Sequence, residues 1–119
     1  MSSSIIFLNN VSLTTSGKEV ANIIPGMGFA SSGKIEQIII TSVSGAATKI
    51  DVSIRYIKGV SDRDKLVYLF EAGDLPSFVD SNINAPFSTK SRINTEGNIH
   101  LFLDPDANCV VDVRIDISL

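Results

Sequence analysis

The sequence predicts an all-β chain, an antiparallel β-sandwich or jelly roll of about eight strands, on three observations. The final stretch CVVDVRIDISL (109–119) alternates without a break, with Cys109, Val111, Val113, Ile115, Ile117 and Leu119 on one face and Val110, Asp112, Arg114, Asp116 and Ser118 on the other. That period of two belongs to a strand with one buried face. Long β-branched runs recur along the chain, and turn residues interrupt them at the short, regular spacing of sandwiches and barrels. Helical periodicity is almost absent, with only 19–24 and 77–83 able to hold a helical turn.

Taken in order, SIIFLNN and VSLTTS are two short strand candidates flanking Asn9-Asn10, and EVANII leads on from them. PGMGFASSGK follows as a loop, with Pro25 and Gly26 in a turn. IEQIIITSV (35–43) and TKIDVSIRYI (48–57) read as an antiparallel hairpin across Ser-Gly-Ala-Ala, the second strand placing Ile50, Val52, Ile54 and Tyr56 on one face and Asp51, Ser53 and Arg55 on the other. KLVYLF (65–70) is the next strand. Residues 72–97 mix turn residues with isolated apolar ones and are read as short strands near 77–79 and 86–93, or as one ordered crossing loop. NIHLFLD (98–104) and NCVVDVRIDIS (108–118) form a second hairpin around DPDA, where Pro105 suits the second position of a turn.

At 119 residues the chain is one domain, 1–119, with 44% apolar and 19% charged residues, a balance that excludes disorder. The net charge of −3 is spread without basic clusters, so nucleic acid is not an expected partner. No apolar stretch approaches the roughly 20 residues of a membrane span, and none is expected. The start MSSSIIFLNN lacks a basic segment and a long apolar one, so synthesis in a cytoplasm without a cleaved leader is expected. The positive mean hydropathy suggests that some apolar surface is covered by partner chains.

Candidate chemistry is sparse. Asp104, Asp106 and Asn108 alternate as the ligands of a calcium loop do, but Cys109 stands where that loop needs glycine and Ile115 where it needs glutamate. They are weak metal candidates, and a solvated hairpin turn is the simpler reading. Asp62 and Asp64 flank Arg63, which balances their charge. Gly26, Gly28 and Gly33 precede a β-branched run rather than the helix a phosphate loop requires, so they are read as turn residues. Cys109 could act as a nucleophile only beside His100, the chain's one histidine. His100 itself is read as a surface or interface residue. No catalytic residues and no cofactor are expected, and the chain is read as a non-enzyme.

The stretches GKIEQIIITSVSGAATKIDVSIRYI, KLVYLFEAGDLPSFVDSNI and IHLFLDPDANCVVDVRIDISL together resemble the small β-sandwich structural proteins of tailed-bacteriophage virions, over about residues 19 to 119. The chain departs from that family in a longer polar 80–97 segment. The resemblance implies a virion protein without enzymatic activity, of the capsid cement or decoration type or associated with neck or fibre. It implies self-association, and partners such as the major capsid protein or neck and portal proteins. No ligand or catalytic residue carries over from it. Residues 1–9 read as a candidate N-terminal arm, whose Ile5, Ile6, Phe7 and Leu8 would add a strand to a neighbouring subunit. The alternative is a carbohydrate- or receptor-binding sandwich of a tail fibre or cell surface. That reading expects aromatic rings for stacking on sugars, and the chain has no Trp and two Tyr.

Overall fold

The computed structural model describes residues 3–23, 32–57, 65–81, 83, 85–88 and 98–119. Nine strands lie among them: β1 (Ser3–Leu13), β2 (Lys18–Ile23), β3 (Ser32–Gly45), β4 (Lys49–Ile57), β5 (Lys65–Asp74), β6 (Ser77–Asp80), β7 (Ala85–Ser88), β8 (Asn98–Pro105) and β9 (Cys109–Ser118). One sheet runs β1-β9-β3-β6, with β7 also on β3, and the other runs β2-β8-β4-β5. All pairings are antiparallel. β6 and β7 lie end to end along one edge of β3, opposite Ile38–Thr41 and Ser32–Ile35 respectively. They share one strand position, which leaves eight positions and satisfies the expected count.

The pairing pattern defines a jelly roll. β3 pairs β9 from Lys34↔Ser118 to Gly45↔Cys109, and the same ribbon continues in the other sheet as β4 on β8, from Ile50↔Pro105 to Ile57↔Asn98. One long two-stranded ribbon therefore folds over at a corner and contributes the two middle strands of both sheets. β1 and β2 flank it on one side, along β9 and β8, while β6 and β5 flank it on the other. The molecule is a four-strand-wide antiparallel layer bent double, its two halves facing each other.

This winding corrects both expected hairpins. Ser-Gly-Ala-Ala and Asp-Pro-Asp-Ala each carry the chain from one sheet to the other, so β3 does not pair β4 and β8 does not pair β9. Local pattern places a turn at those positions but says nothing about which edge the next strand joins. The helical turn allowed at 19–24 gives way to a strand over 19–23, whose backbone groups find ladder partners on β8. Residues 77–80 form the short strand read near 77–79, paired with β3, and no helical turn. The expected loop through Ser32, Gly33 and Lys34 is instead the start of β3, held by β7 and β9.

β9 obeys its alternation: Cys109, Val111, Val113, Ile115 and Ile117 are buried and the intervening residues half-buried. Leu119 departs from it. It lies one position beyond the last paired residue, Ser118, and is 40% exposed. Facing β9 across the interior are Ile50, Val52 and Ile54 of β4 and Ile99, Leu101 and Leu103 of β8, with Ile35, Ile38 and Ile40 of β3 and Leu13 of β1 completing the core. Aliphatic residues dominate this interior, which suits two pleated faces packed across roughly 10 Å.

Register shifts keep long strands in phase with that core. SIIFLNN and the first three residues of VSLTTS belong to one strand, β1, bulged at Asn9-Asn10 so that Ile6, Leu8, Val11 and Leu13 all face inward. Asn10 takes φ 55°, a left-handed conformation asparagine tolerates, and its N–H donates to the Asp112 carboxylate at 2.9 Å. Residues 3–9 are therefore the first half of an edge strand of the chain's own sheet, not a free arm. In β3 a shift between Ile35 and Gln37 brings Ile38 and Ile40 inward after Ile35.

Two glycines are demanded by close approach. Gly45 ends β3 at φ 106°, and a Cβ there would lie 2.5 Å from the Cα of Cys109. At Gly73 a Cβ would fall 1.9 Å from the Phe78 ring, which covers it as β6 turns into the core. Gly45→Ala combines a forbidden φ with a backbone overlap, and a loss of at least about 2 kcal/mol is expected. The check is a urea titration, in which the midpoint falls while the slope is unchanged.

Candidate functional site

Three places in the fold bring polar or exposed apolar groups together. The first is the corner. Here the β3–β4 and β8–β9 crossings run side by side, and their backbone groups cannot join a sheet ladder. Asp106 supplies the missing partners: its Oδ1 accepts from the Thr48 N–H at 2.8 Å and the Lys49 N–H at 3.2 Å, and its Oδ2 accepts from Thr48 Oγ1 at 2.7 Å. The Asp106 N–H donates to Lys49 O, Ala46 N–H donates to Asn108 O, and Leu75 N–H donates to Thr48 O. These bonds hold the Asp106 carboxyl below its ordinary value of 3.8, the Thr48 hydroxyl contributing most.

Beside the corner, Lys49, Ile50, Asp51, Asp104, Pro105 and Asp106 line a shallow depression of about 200 Å³. Asp51 and Asp104 sit directly opposite each other on β4 and β8. The structure does bring two of the predicted metal candidates, Asp104 and Asp106, to one depression. The Asp106 oxygens are already committed to the turn, however, and Asn108 accepts the Ala46 N–H through its backbone. Among the described residues no group of three or more His, Cys, Asp or Glu side chains has metal-binding geometry.

The second place is the outer face of the β2-β8-β4-β5 sheet. His100, read from the sequence as a surface or interface residue, is buried, and its Nδ1 donates to the carboxylate of Glu19 on β2. Ser53, opposite Phe102, is buried on the same sheet. Sequence inspection missed the Glu19–His100 contact because 81 residues separate the partners and only the β2–β8 pairing joins them. Cys109 is not brought to His100. The thiol belongs to the core cluster of the other sheet, where burial pushes its pKa up and Asp106 adds to the effect. Asp62, Arg63 and Asp64, with Gly26 and Gly28, lie outside the described residues.

The third place is the outer face of the β1-β9-β3-β6 sheet. Register aligns Phe7, Arg114, Ile39 and Val79 in one row across four strands. Phe7 is 62% and Val79 55% exposed, and Ile5, one row over, is 44% exposed. Arg114 is fixed in the middle of the row. Its guanidinium makes two hydrogen bonds to Asp116, at 2.7 and 3.3 Å, and lies 5.8 Å from the centre of the Phe7 ring. Of the four predicted interaction residues, Ile5 and Phe7 stand outward on this face, while Ile6 and Leu8 pack partly buried against the core.

Comparisons with models of known families, with curated proteins and with solved structures found no match for the chain.

The corner carries a pH signature. Because the folded Asp106 pKa is depressed, its contribution is present above the unfolded value near 3.8 and is lost as pH falls through the lower, folded value. Asp106→Asn is therefore expected to unfold at lower denaturant than the parent at pH 7, with the gap narrowing as pH drops below about 4. Paired urea titrations at pH 7 and pH 3 measure it. An equal gap at both values would show that the carboxylate's charge plays no part.

Proposed function

We propose that the chain is a non-enzymatic structural protein of a tailed-phage virion, one that self-associates and binds a capsid or neck surface, of the cement or decoration type. On this reading it is made in the host cytoplasm and ends in the virion, needs no cofactor and binds neither nucleic acid nor membrane.

The observation that carries the proposal is the row of Phe7, Arg114, Ile39 and Val79. Large apolar side chains left exposed around a fixed Arg are the composition of a protein-binding surface rather than of a solvated sheet face. The jelly roll is in keeping with it, since viral coat domains share that winding, but lectin domains do too. The sequence resemblance favours the first. The alternative, carbohydrate binding, has a depression with three carboxylates, Asp51, Asp104 and Asp106, but its lining includes no aromatic ring to stack on a sugar.

Co-sedimentation with shells of the source phage tests the reading. The parent chain is expected to pellet with shells, and Phe7→Ser combined with Val79→Ser to weaken that binding at least tenfold. Both positions are so exposed that stability should change by no more than about 0.5 kcal/mol each. Specific binding to a glycan array without binding to shells would overturn the proposal in favour of the carbohydrate reading.

A further inference from the structure

We infer that β1 is a self-pairing edge, through which two copies of this chain join antiparallel about a two-fold axis and make one continuous sheet from two. This rests on the self-association reading above and specifies its interface.

A sheet edge presents unpaired N–H and C=O groups, and proteins normally guard it with charge, proline, a bulge or shortness. The other described edges are guarded in these ways. β6 and β7 have four residues each, with Asp80 on one and Pro86 on the other. β2 carries Lys18 and Glu19 and shifts register beside them. β5 ends in Asp74, and its pairing with β4 shifts twice. β1 differs. From Ser3 to Leu8 it pairs β9 without irregularity and holds no charge, no proline and no glycine, and its bulge comes only afterwards at Asn9-Asn10.

The occupant of this edge is a second copy, because the segment is complementary to itself. With no charge over Ser3–Leu8, an antiparallel copy meets no like-charge opposition. Centred on Ile6, the pairing sets Ile5 opposite Phe7 of the second copy and Phe7 opposite its Ile5. Both are aromatic–β-branched pairs on the outer face, of the kind that stabilises neighbouring strands. On the inner face the half-buried Ile6 and Leu8 gain the cover that an edge strand lacks. A two-fold operator makes this contact isologous, and it closes at two subunits on this edge.

The test is light scattering behind a sizing column over a wide concentration range, on the parent chain, Ile5→Lys and Val79→Lys. Amide hydrogen exchange of residues 3–8 is followed at the two concentration extremes. The parent is expected to dimerise, with exchange over 3–8 slowed at high concentration. Ile5→Lys should raise the dissociation constant at least tenfold without lowering the melting temperature of the monomer, while Val79→Lys, on the far edge, stays dimeric. A dimer that survives Ile5→Lys, or one that Val79→Lys dissociates equally, overturns the edge-pairing inference and leaves self-association standing. A parent that is monomeric throughout overturns the inference, and shell binding then decides the broader proposal separately.

Discussion

The fold depends on satisfying backbone groups where the chain leaves one sheet for the other. Bending a four-strand layer double interrupts every ladder along the crease, and each lost pair is costly if buried unsatisfied. The Asp106 carboxylate answers this at the centre of the crease, taking two amides and a hydroxyl from Thr48 and Lys49. Gly45 answers the steric half of the problem, since only a residue without a Cβ can pass so close to Cys109 at positive φ. On either side the corners from β1 to β2 and from β5 to β6 follow the same bend, with Gly17 N–H donating to Thr14 O and Ser42 N–H donating to Pro76 O.

What could be read in the sequence was whatever depends on neighbours along the chain. The alternation from Cys109 to Ile117 gave the buried face of β9 residue by residue, and Ile50, Val52 and Ile54 did the same for β4. What could not be read was set by partners far away in sequence. Ser-Gly-Ala-Ala suits a hairpin and a corner equally well, and the choice is made by β9 and β8, which offer β3 and β4 places in different sheets. Asn9-Asn10 resembled a break between strands because the bulge there is completed by Asp112, 102 residues away. The Glu19–His100 bond and the role of Asp106 were hidden for the same reason. A carboxylate spaced like a calcium ligand proved to be bonded to the turn across the crease.

The same folding operation separates the surface into unlike regions. The crease gathers the exposed side chains of Asp51, Asp104, Asp106 and Lys49 at one end, giving it a polar character. One outer face buries Ser53 and His100, the latter bonded to Glu19. The other aligns Phe7, Ile39 and Val79 around Arg114, whose charge is met within the sheet by Asp116. Meeting that charge internally matters to recognition: an Arg held by its own carboxylate and lying near an aromatic ring needs less from a partner than a solvated one would.

Edge chemistry then separates the β1 side of the molecule from the rest. A jelly roll leaves two pairs of edges, and a chain that functioned alone would gain from guarding all of them against unintended pairing. Here charge, proline, shortness or irregular register guard every described edge except Ser3–Leu8, beside the most exposed apolar residues of the outer face. Selection for solubility alone would not spare the one edge where guarding is simplest, since a lysine at position 5 or 7 would disturb little of the core. An open edge adjoining an apolar face is what a subunit needs if its sheet is completed by another copy and its face by a larger surface. On the proposed reading the two contacts meet at Phe7: Ile5 and Phe7 would join copies edge to edge, and the row from Arg114 to Val79 would be left to dock.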